Sequence, residues 1–503
     1  MKRPLELKGR LSRVLLSLLV IVSCLGLAFC VSSCGSKTSV TYSPPQEEDF
    51  STITWTDAFD RLLQKMKTEY AFTEWKSINW DSLGAKFRPL VQKAQFAADL
   101  QQYYTTLRDF MFSIHDGHVV LLGDDQGAMK AQVGGGFGIV AMKLDDGRVI
   151  AARVTPGSPA DAAGIKTGAQ LTAWGGQAIA KALAATSIIF TKYQPATSTG
   201  VTYERLRYLT RAPIGAARAV TFKNPGDSAA RITQLTAVDD GMDTVNFTNP
   251  FYHLPGGDQP QSMVTAKTLQ GNVGYVSIVA EGELPKDKPG DHTTTAKLFK
   301  QAVDSFIKAN AKGIVIDVRG NLGGSDSMVA DFLSSFYKKQ TLYEYQNVFN
   351  SKAGKMEIWL TNDKTGKVGN PGKSLDIVPG TPQYSGPIVA IVNTGCISSG
   401  EGVAMGVKNV PNGQVVGFWG TNGSFGMAGD NSQMPGGLTA SFPFGQSLDK
   451  NKVVQIDSKN LVGGVAPTKR IPMTYENALK WGAGQDVELD YALKALATQV
   501  KSK

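Results

Sequence analysis

The segment Cys396-Ile-Ser-Ser-Gly-Glu401 decides how the second half of the chain is interpreted. It follows residues 387–393, an apolar β-branched run typical of a buried strand, and precedes residues 402–410, which have a helical pattern. Hydrolases place a nucleophile between a buried strand and a helix, because the turn exposes the hydroxyl and the free helix N–H groups favour negative charge. A plainer interpretation stays open, in which Ser398 caps the helix and Glu401 completes a capping box.

Strand and helix patterns alternate on both sides of this segment, through residues 270–503. A buried-strand pattern at residues 313–319 leads into the glycine turn Gly320-Asn-Leu-Gly-Gly324, and helical patterns follow each strand. This order predicts an α/β domain with its chemistry at the carboxyl ends of the strands. Residues 340–385 interrupt the alternation and are predicted to form an insertion of hairpins and turns.

The residues before this domain divide into two regions of different character. Residues 51 to about 112 show helical spacing of apolar side chains, and the aromatic residues there are expected in a core. Residues 133 to about 238 have glycine-rich turns and short β-like runs. The loop Gly136-Phe-Gly-Ile139 opens one of these strands, so its N–H groups are candidates for binding a carboxylate, although a simple glycine turn explains it equally well.

The N-terminus has the pattern of an export signal. Basic residues precede an apolar stretch at residues 14–31, which ends in Val31-Ser-Ser-Cys34-Gly35. This ending resembles a bacterial lipobox, in which Cys34 receives the lipid. Cys30 is a competing site, and an uncleaved membrane anchor is the other alternative. The proline-containing stretch that follows, as far as residue 50, is predicted to be a tether.

Composition excludes several classes of function. The formal charge of +9 falls to about +5 once the signal is left out, and no basic run is present, so nucleic acid is not expected as a partner. Cys396 is the single cysteine after the signal, so no structural disulfide is expected within the mature chain. The histidines show no spacing typical of metal ligands, and neither a metal nor another cofactor is expected.

Taken in order, these segments resemble the tail-specific (C-terminal processing) serine peptidases and their tricorn-core and nisin-resistance relatives. Each matching piece is short, and the resemblance depends on their order. The pieces are Asp116-Gly-His118, residues 136–179 with Pro156-Gly-Ser-Pro-Ala160, Asp317-Val-Arg-Gly-Asn-Leu-Gly-Gly324, Ser398-Ser-Gly-Glu401, Gly417 with Thr421-Asn-Gly423, and Gly464-Val-Ala-Pro467.

The resemblance implies an α/β protease core of the ClpP/crotonase type, a β-α superhelix, with an N-terminal helical domain and an inserted PDZ-like β domain. The boundaries that follow are a lipoprotein signal at 1–33, a tether at 34–50, the helical domain at 51–132, the PDZ-like domain at 133–240 and the peptidase core at 241–503.

Ser398 aligns with the family nucleophile, and Ser399 is the runner-up. The tail-specific branch uses a lysine base at a position that is Gly423 here, and Lys408 is not equivalent because it lies within the predicted helix. The tricorn-like branch uses a histidine from the Asp-Gly-His segment, which implies His118 as general base, with His115 as fallback. A purely structural role is the alternative for His118.

Other parts of the implied site are less complete. Glu401 or Asp457 is a candidate to orient the histidine; the alternatives are a helix N-terminal charge for Glu401 and a surface loop for Asp457. Some relatives have a serine where this chain has Gly117, and Pro-Asp where it has Pro467-Thr468.

The resemblance also implies the oxyanion donors. These are the N–H of Ser399 and that of Gly323 or Gly324. Arg319 is expected to form a structural ion pair, with Asp317 or another internal carboxylate, in preference to binding substrate.

The implied function is a cell-envelope serine endopeptidase, lipid-anchored and facing the periplasm or in the outer membrane. It would cleave protein or peptide substrates, whose C-termini the loop at Gly136, Phe137, Gly138 and Ile139 would bind. A noncatalytic peptide- or apolar-ligand-binding protein on the same fold is the alternative. The oligomeric state does not follow from the sequence.

Overall fold

The computed structural model describes residues 41–251, 262–282, 293–361, 369 and 371–501. The predicted signal, Cys34, His253 and His292 lie outside these residues. Within the described ranges, none of the helices combines the length and apolar character that a membrane span requires.

Three helices form the first region, as the spacing of apolar residues predicts. Thr54, Asn79 and Asp99 cap them, each side chain accepting the N–H three residues on. Of the aromatic residues expected in the core, five are buried and Trp75 is partly buried. The elements are β1 (Glu48–Asp49), α1 (Trp55–Glu69), α2 (Trp80–Phe96), α3 (Leu100–Phe112), β2 (Val120–Leu122) and α4 (Ala128–Val133).

The second region is mainly β, with a six-stranded and a three-stranded sheet. Its strands follow the glycine-rich pattern, whereas the twelve-residue helix α7 was not predicted. The elements are β3 (Gly135–Gly136), β4 (Ile139–Lys143), β5 (Val149–Val154), α5 (Pro159–Ala162), β6 (Gln170–Trp174), β7 (Gln177–Ala178), α6 (Ile179–Ala185), α7 (Ser198–Leu209), β8 (Arg211–Ala212), β9 (Ala217–Lys223), β10 (Arg231–Thr236) and β11 (Val238–Asp239).

The third region alternates strands and helices, as predicted, around a largely parallel sheet. The elements are α8 (Asp243–Phe247), β12 (Val264–Leu269), β13 (Val273–Ile278), α9 (Thr293–Lys308), β14 (Ile314–Asp317), α10 (Asp326–Leu333), β15 (Thr341–Asn350), β16 (Lys355–Ile358), β17 (Ser374–Ile377), β18 (Ile388–Ile391), α11 (Ser399–Lys408), β19 (Gly413–Gly417), β20 (Met427–Met434), β21 (Leu438–Leu448), β22 (Lys469–Arg470), α12 (Tyr475–Gly482) and α13 (Val487–Lys501).

The central sheet has the order β12-β13-β14-β18-β19-β22, and only β12 is antiparallel to its neighbour. All residues of β14 and β18 are buried, because helices α9, α10 and α11 cover one face and α13 covers the other. Adjacent parallel strands end at the same edge of a sheet. The glycine turn after β14 and the serine turn after β18 therefore lie side by side.

A second sheet, in the order β1-β20-β21-β15-β16, joins the first region to the third. The hairpin β15–β16 and strand β17 confirm the predicted insertion at residues 340–385, whereas the long hairpin β20–β21 was not predicted. Strand β2 pairs with β21, Leu121 opposite Ala440, and fixes the chain just after His118 onto this sheet.

The Arg319 side chain ties the end of the central sheet to the C-terminal helix. Its guanidinium donates to Asp317 on the same strand end and to Asp486 and Glu488 at the start of α13, and it is 1% exposed. The expected structural ion pair is confirmed. A guanidinium suits this place because its fixed fork bonds several carboxylates at once.

We expect Arg319→Ala to lower the free energy of unfolding by about 3–5 kcal/mol, because three carboxylates lose their buried cation. Denaturant unfolding monitored by circular dichroism measures the change. Arg88→Ala is the matched control, since Arg88 pairs with Asp60 in solvent and its loss should change stability by less than about 1 kcal/mol. Equal losses in the two variants would contradict this assignment.

Candidate active site

Ser398 lies on a sharp turn between β18 and α11. Its backbone has φ 59° and ψ −136°, a sparsely populated conformation for a residue with a side chain. The hydroxyl makes no capping bond, and the Glu401 N–H instead donates to the Ser398 carbonyl at 2.8 Å. The capping-box interpretation is therefore wrong. The turn leaves the hydroxyl without a structural task in a half-buried position.

The glycine turn after β14 approaches this serine closely. Gly323 has φ 80°, and a Cβ placed on it would lie 2.3 Å from the Ser398 Cβ and 2.8 Å from its Oγ. Only glycine allows this approach, so the turn that follows Arg319 forms one wall of the site.

Two peptide groups beside Ser398 are suited to bind an oxyanion. The Ser399 N–H is the first of α11 and has no acceptor within the helix. The Gly323 N–H is engaged, donating to Asn321 Oδ1 at 2.8 Å. The Gly324 N–H has no acceptor within the described residues. Of the two glycines considered, Gly324 is therefore the better second donor.

The segment Asp116-Gly-His118 packs directly against the serine turn. A Cβ on Gly117 would lie 2.4 Å from Ile397 Cδ1, so these two segments of the chain are in direct contact. The Gly117 N–H donates to Ser424 Oγ at 2.8 Å, and the Ser398 N–H donates to the Ser424 carbonyl at 2.9 Å. His118 and Ser398 are thus each one residue away from the contact between their segments.

The His118 ring is 11% exposed and faces Asp116. Its Nδ1 lies 3.9 Å from Asp116 Oδ1, which accepts the His118 peptide N–H at 2.9 Å. Nδ1 has no hydrogen-bond partner within the described residues. Burial lowers the pKa of His118 below its ordinary value, while Asp116 raises this pKa and Lys76 lowers it. The imidazole is therefore kept neutral and able to accept a proton.

A buried lysine and two carboxylates lie behind the histidine. Lys76 Nζ is 3.3 Å from Asp457 Oδ1 and 3.8 Å from Asp116 Oδ2, and Tyr70 donates its hydroxyl to Asp116 Oδ2 at 2.7 Å. Asp457 is 4% exposed, so the surface-loop alternative for this residue is wrong. Burial raises the pKa of Asp457 to about 8.

Sequence reasoning missed Asp116, Tyr70 and Lys76 as site residues. Asp116 belongs to the same Asp-Gly-His motif that identified His118, so the sequence did contain a signal for this site residue. Lys76 and Tyr70 come from the helical region, and nothing in their spacing pointed to the site.

Glu401 organises the turn at residues 421–424. Its carboxylate is fully buried and accepts the Thr421 hydroxyl and the N–H groups of Gly423 and Ser424, the latter two at 2.8 and 2.9 Å. Burial raises the pKa of Glu401 to about 7, and these hydrogen bonds lower it. Glu401 therefore holds Ser424, which bonds both the serine and histidine segments. In this arrangement it is a positioning residue.

The remaining candidates lie outside this arrangement. His115 is exposed, with φ 54°. The Ser399 hydroxyl is engaged with Gly324 O and Asp326 Oδ1. Lys408 donates to the Ala466 carbonyl at 2.9 Å, on the far side of α11. None of them is placed as Ser398 and His118 are.

The glycine-rich loop of the second region begins in strand β3, which is hydrogen-bonded to a neighbouring strand on each side. Gly136 lies in β3, the middle strand of the sheet β11-β3-β8, and Asp240 fills the space where a Cβ of Gly136 would lie. Phe137 and Ile139 are fully buried in the core of that region, and Gly138 packs on Ser158. In this structure neither apolar side chain lines an open pocket. Peptide binding here stays a prediction.

Within the described ranges, no group of three or more His, Cys, Asp or Glu side chains is arranged to hold a metal ion. The chemistry available is that of a serine hydroxyl, an imidazole and two peptide N–H groups. This is the set of groups of a serine hydrolase.

Comparison with known families agrees with this class. Residues 272–470 match Peptidase family S41, and residues 52–103 match the Tricorn protease C1 domain. No curated protein matches the sequence.

Two solved structures of CPAF show the same fold. Mature CPAF in complex with lactacystin is 15% identical, with a TM-score of 0.60 over 90% of this chain and 99% of that one. Mature CPAF alone gives a TM-score of 0.59 at 15% identity, over 90% and 98%. The photosystem II D1 C-terminal processing protease is 16% identical, with a TM-score of 0.37 over 87% and 99%. The two CPAF comparisons show that this chain shares the fold of CPAF, with mixed α/β sheets.

The charges around His118 predict two pKa changes of opposite sign. Asp116→Asn should lower the pKa of His118, because the carboxylate that favours the imidazolium is removed; Lys76→Met should raise it, because a nearby positive charge is removed. Both are measured by NMR titration of the His118 ring, assigned with His118→Gln. Lys67→Met, at an exposed lysine paired with Asp81, should change nothing. Shifts of the same sign in both variants would contradict the arrangement.

Proposed function

We propose that the protein is a serine endopeptidase in which Ser398 attacks the peptide carbonyl and His118 is the general base. The observation that supports this most is the contact between Gly117 and Ile397, together with the two bonds to Ser424, because it brings the base segment to the nucleophile segment. Family S41 membership of residues 272–470 supports the same reaction class.

In the proposed reaction, His118 takes the proton of the Ser398 hydroxyl as Oγ bonds to the carbonyl carbon. Since Asp116 faces Nδ1, we assign the accepting role to Nε2. The carbonyl electrons move to oxygen, and the N–H groups of Ser399 and Gly324 stabilise the resulting charge. The imidazolium then protonates the leaving amine, and water hydrolyses the acyl-enzyme by the same route in reverse.

The lowered pKa of His118 sets the sign of the pH dependence. Only the neutral imidazole accepts the serine proton, so activity is lost as pH falls through the folded-state pKa. Because burial places that pKa below 6.5, the acidic limb of kcat/KM lies below the ordinary range of histidine. Removing the Asp116 carboxylate lowers the pKa of His118 and therefore moves this acidic limb to still lower pH.

Substrate recognition by the loop at residues 136–139 belongs to the same proposal. Strands β11 and β8 pair with the two sides of β3, and Asp240 lies against Gly136. A peptide C-terminus that adds to β3 therefore has to displace one of these two strands. Such a displacement would make binding depend on a rearrangement of the second region.

A fluorophosphonate probe tests the nucleophile and the base together. We expect the wild type to be labelled, Ser398→Ala to be unlabelled, and His118→Ala to be labelled at least about a hundredfold more slowly, because the unassisted hydroxyl is a poor nucleophile. Hydrolysis of an unfolded protein substrate should follow the same order.

His115→Asn is the matched control for the histidine, because His115 is exposed and asparagine tolerates its positive φ. It should keep wild-type labelling. Labelling that survives in Ser398→Ala, or its absence from the wild type together with no turnover, would overturn the proposal and favour a noncatalytic binding protein on this fold.

We also propose that Cys34 is lipidated and anchors the protein in a bacterial cell envelope. Wild-type protein should incorporate labelled fatty acid and enter the detergent phase on phase partitioning. Cys34→Ala should lose both, while Cys30→Ala should keep both. The reverse result would assign the lipid to Cys30, and fatty-acid labelling of neither cysteine would contradict the anchor.

A further inference from the structure

The hydroxyl of Ser399 joins the start of α11 to the glycine turn after β14. Its Oγ lies 2.9 Å from the Gly324 carbonyl oxygen and 2.8 Å from Asp326 Oδ1, and the residue is 1% exposed. Ser399 and Gly324 also carry the two N–H groups assigned above to the oxyanion. One side chain therefore links the two residues whose N–H groups must lie at a fixed distance from each other to bind the oxyanion.

The Gly324 peptide needs such a restraint. Gly323 and Gly324 have φ of 80° and 153°, and two consecutive glycines leave the chain unusually free to rotate. The neighbouring bonds hold other groups: Asn321 Oδ1 accepts the Gly323 N–H, and the Glu281 N–H donates to the Gly323 carbonyl at 3.0 Å. Within the described residues, the Gly324 carbonyl is held by Ser399.

We propose that Ser399 and Asp326 act as a clamp that fixes the distance between the two oxyanion donors. They are positioning residues: neither side chain touches the reacting atoms, and both act through the Gly324 and Ser399 peptide groups. This inference rests on the proposed peptidase function and adds a structural requirement to it. Ser399, the rejected candidate nucleophile, thereby gains a role of its own.

The number of available protons defines how the clamp is bonded. The Ser399 hydroxyl has one proton and two acceptors, the Gly324 carbonyl and Asp326 Oδ1, so the two contacts share that proton as a three-centre hydrogen bond.

Asp326 is an acceptor for this proton. Tyr343 also donates its hydroxyl to Asp326 Oδ1, at 3.2 Å. Burial raises the pKa of Asp326 to about 6, and the hydrogen bonds from Ser399 and Tyr343 lower it. Asparagine has an amide oxygen that can accept the same hydrogen bond from Ser399.

Four variants test the clamp. Ser399→Ala and Asp326→Ala should each lower kcat by roughly ten- to a hundredfold with KM changed less than about twofold, because the defect appears when charge develops on the oxyanion. The double variant should be no slower than Ser399→Ala alone, since the two residues act as one unit. Asp326→Asn should recover most of the activity that Asp326→Ala loses.

A transition-state analogue separates positioning from stability. The affinity for a peptide boronic acid, which forms a tetrahedral adduct on Ser398, should fall in Ser399→Ala by the same factor as kcat/KM. Ser334→Ala is the control: its buried hydroxyl donates to the Asp331 carbonyl at 2.6 Å on α10, away from the site. It should lower thermal stability and leave kcat and boronate affinity unchanged.

The outcomes are distinguishable. A wild type with no probe labelling and no turnover would fail as a peptidase before any clamp variant is made, and would overturn both proposals. An active wild type whose Ser399→Ala variant keeps its kcat and boronate affinity would overturn the clamp alone. Asp326→Asn as slow as Asp326→Ala would also overturn it, because an oxygen acceptor at this position would then not suffice.

Discussion

The buried carboxylate of Glu401 is the constraint on which the rest of the site depends. It accepts three hydrogen bonds from the turn at residues 421–424, and through Ser424 that turn bonds the peptide groups of Ser398 and Gly117. A carboxylate shielded from water needs hydrogen-bond donors from the protein for its oxygens, so this turn has little freedom to move. The segments that carry the proposed nucleophile and the proposed base are both attached to it. The conformational cost of holding Ser398 at positive φ is met by this network, which explains how a strained turn persists at the end of β18.

The site is also a junction between regions that are distant in sequence. The central sheet supplies the two turns, the helical region supplies Tyr70 and Lys76, and β2 carries the chain after His118 onto β21. Lys76 lies between two buried carboxylates, where an uncompensated charge would be costly. Arg319 has the same function at the opposite side of the sheet, where it joins the strand end to α13. Buried ion pairs thus attach the helical region and the C-terminal helix to the part of the chain that bears the site.

The sequence predicted the elements whose signal is local. The strands around residues 314–317 and 388–391 are continuous β-branched runs, and the caps and spacing of α1 and α3 are visible in the residues themselves. The hairpin β20–β21 was missed because its polar and glycine-rich residues have no clear alternation. The surface-loop alternative for Asp457 failed because the burial of this residue depends on Lys76, which lies far away in the sequence. Ser398 resembled a helix cap because a capping pattern and a nucleophile turn use the same residue types, and only the backbone angles separate them.

The contact between Gly117 and Ile397 has a consequence for how the protein is made. An N-terminal fragment holds the histidine without its serine, and the chain must be extended past Asp457 before the carboxylate and lysine behind the ring can meet. Contacts over such sequence separations form late in folding, since long loops must close first. On the proposed mechanism, hydrolysis therefore requires the finished fold, and a chain that ends before Asp457 would lack the complete site.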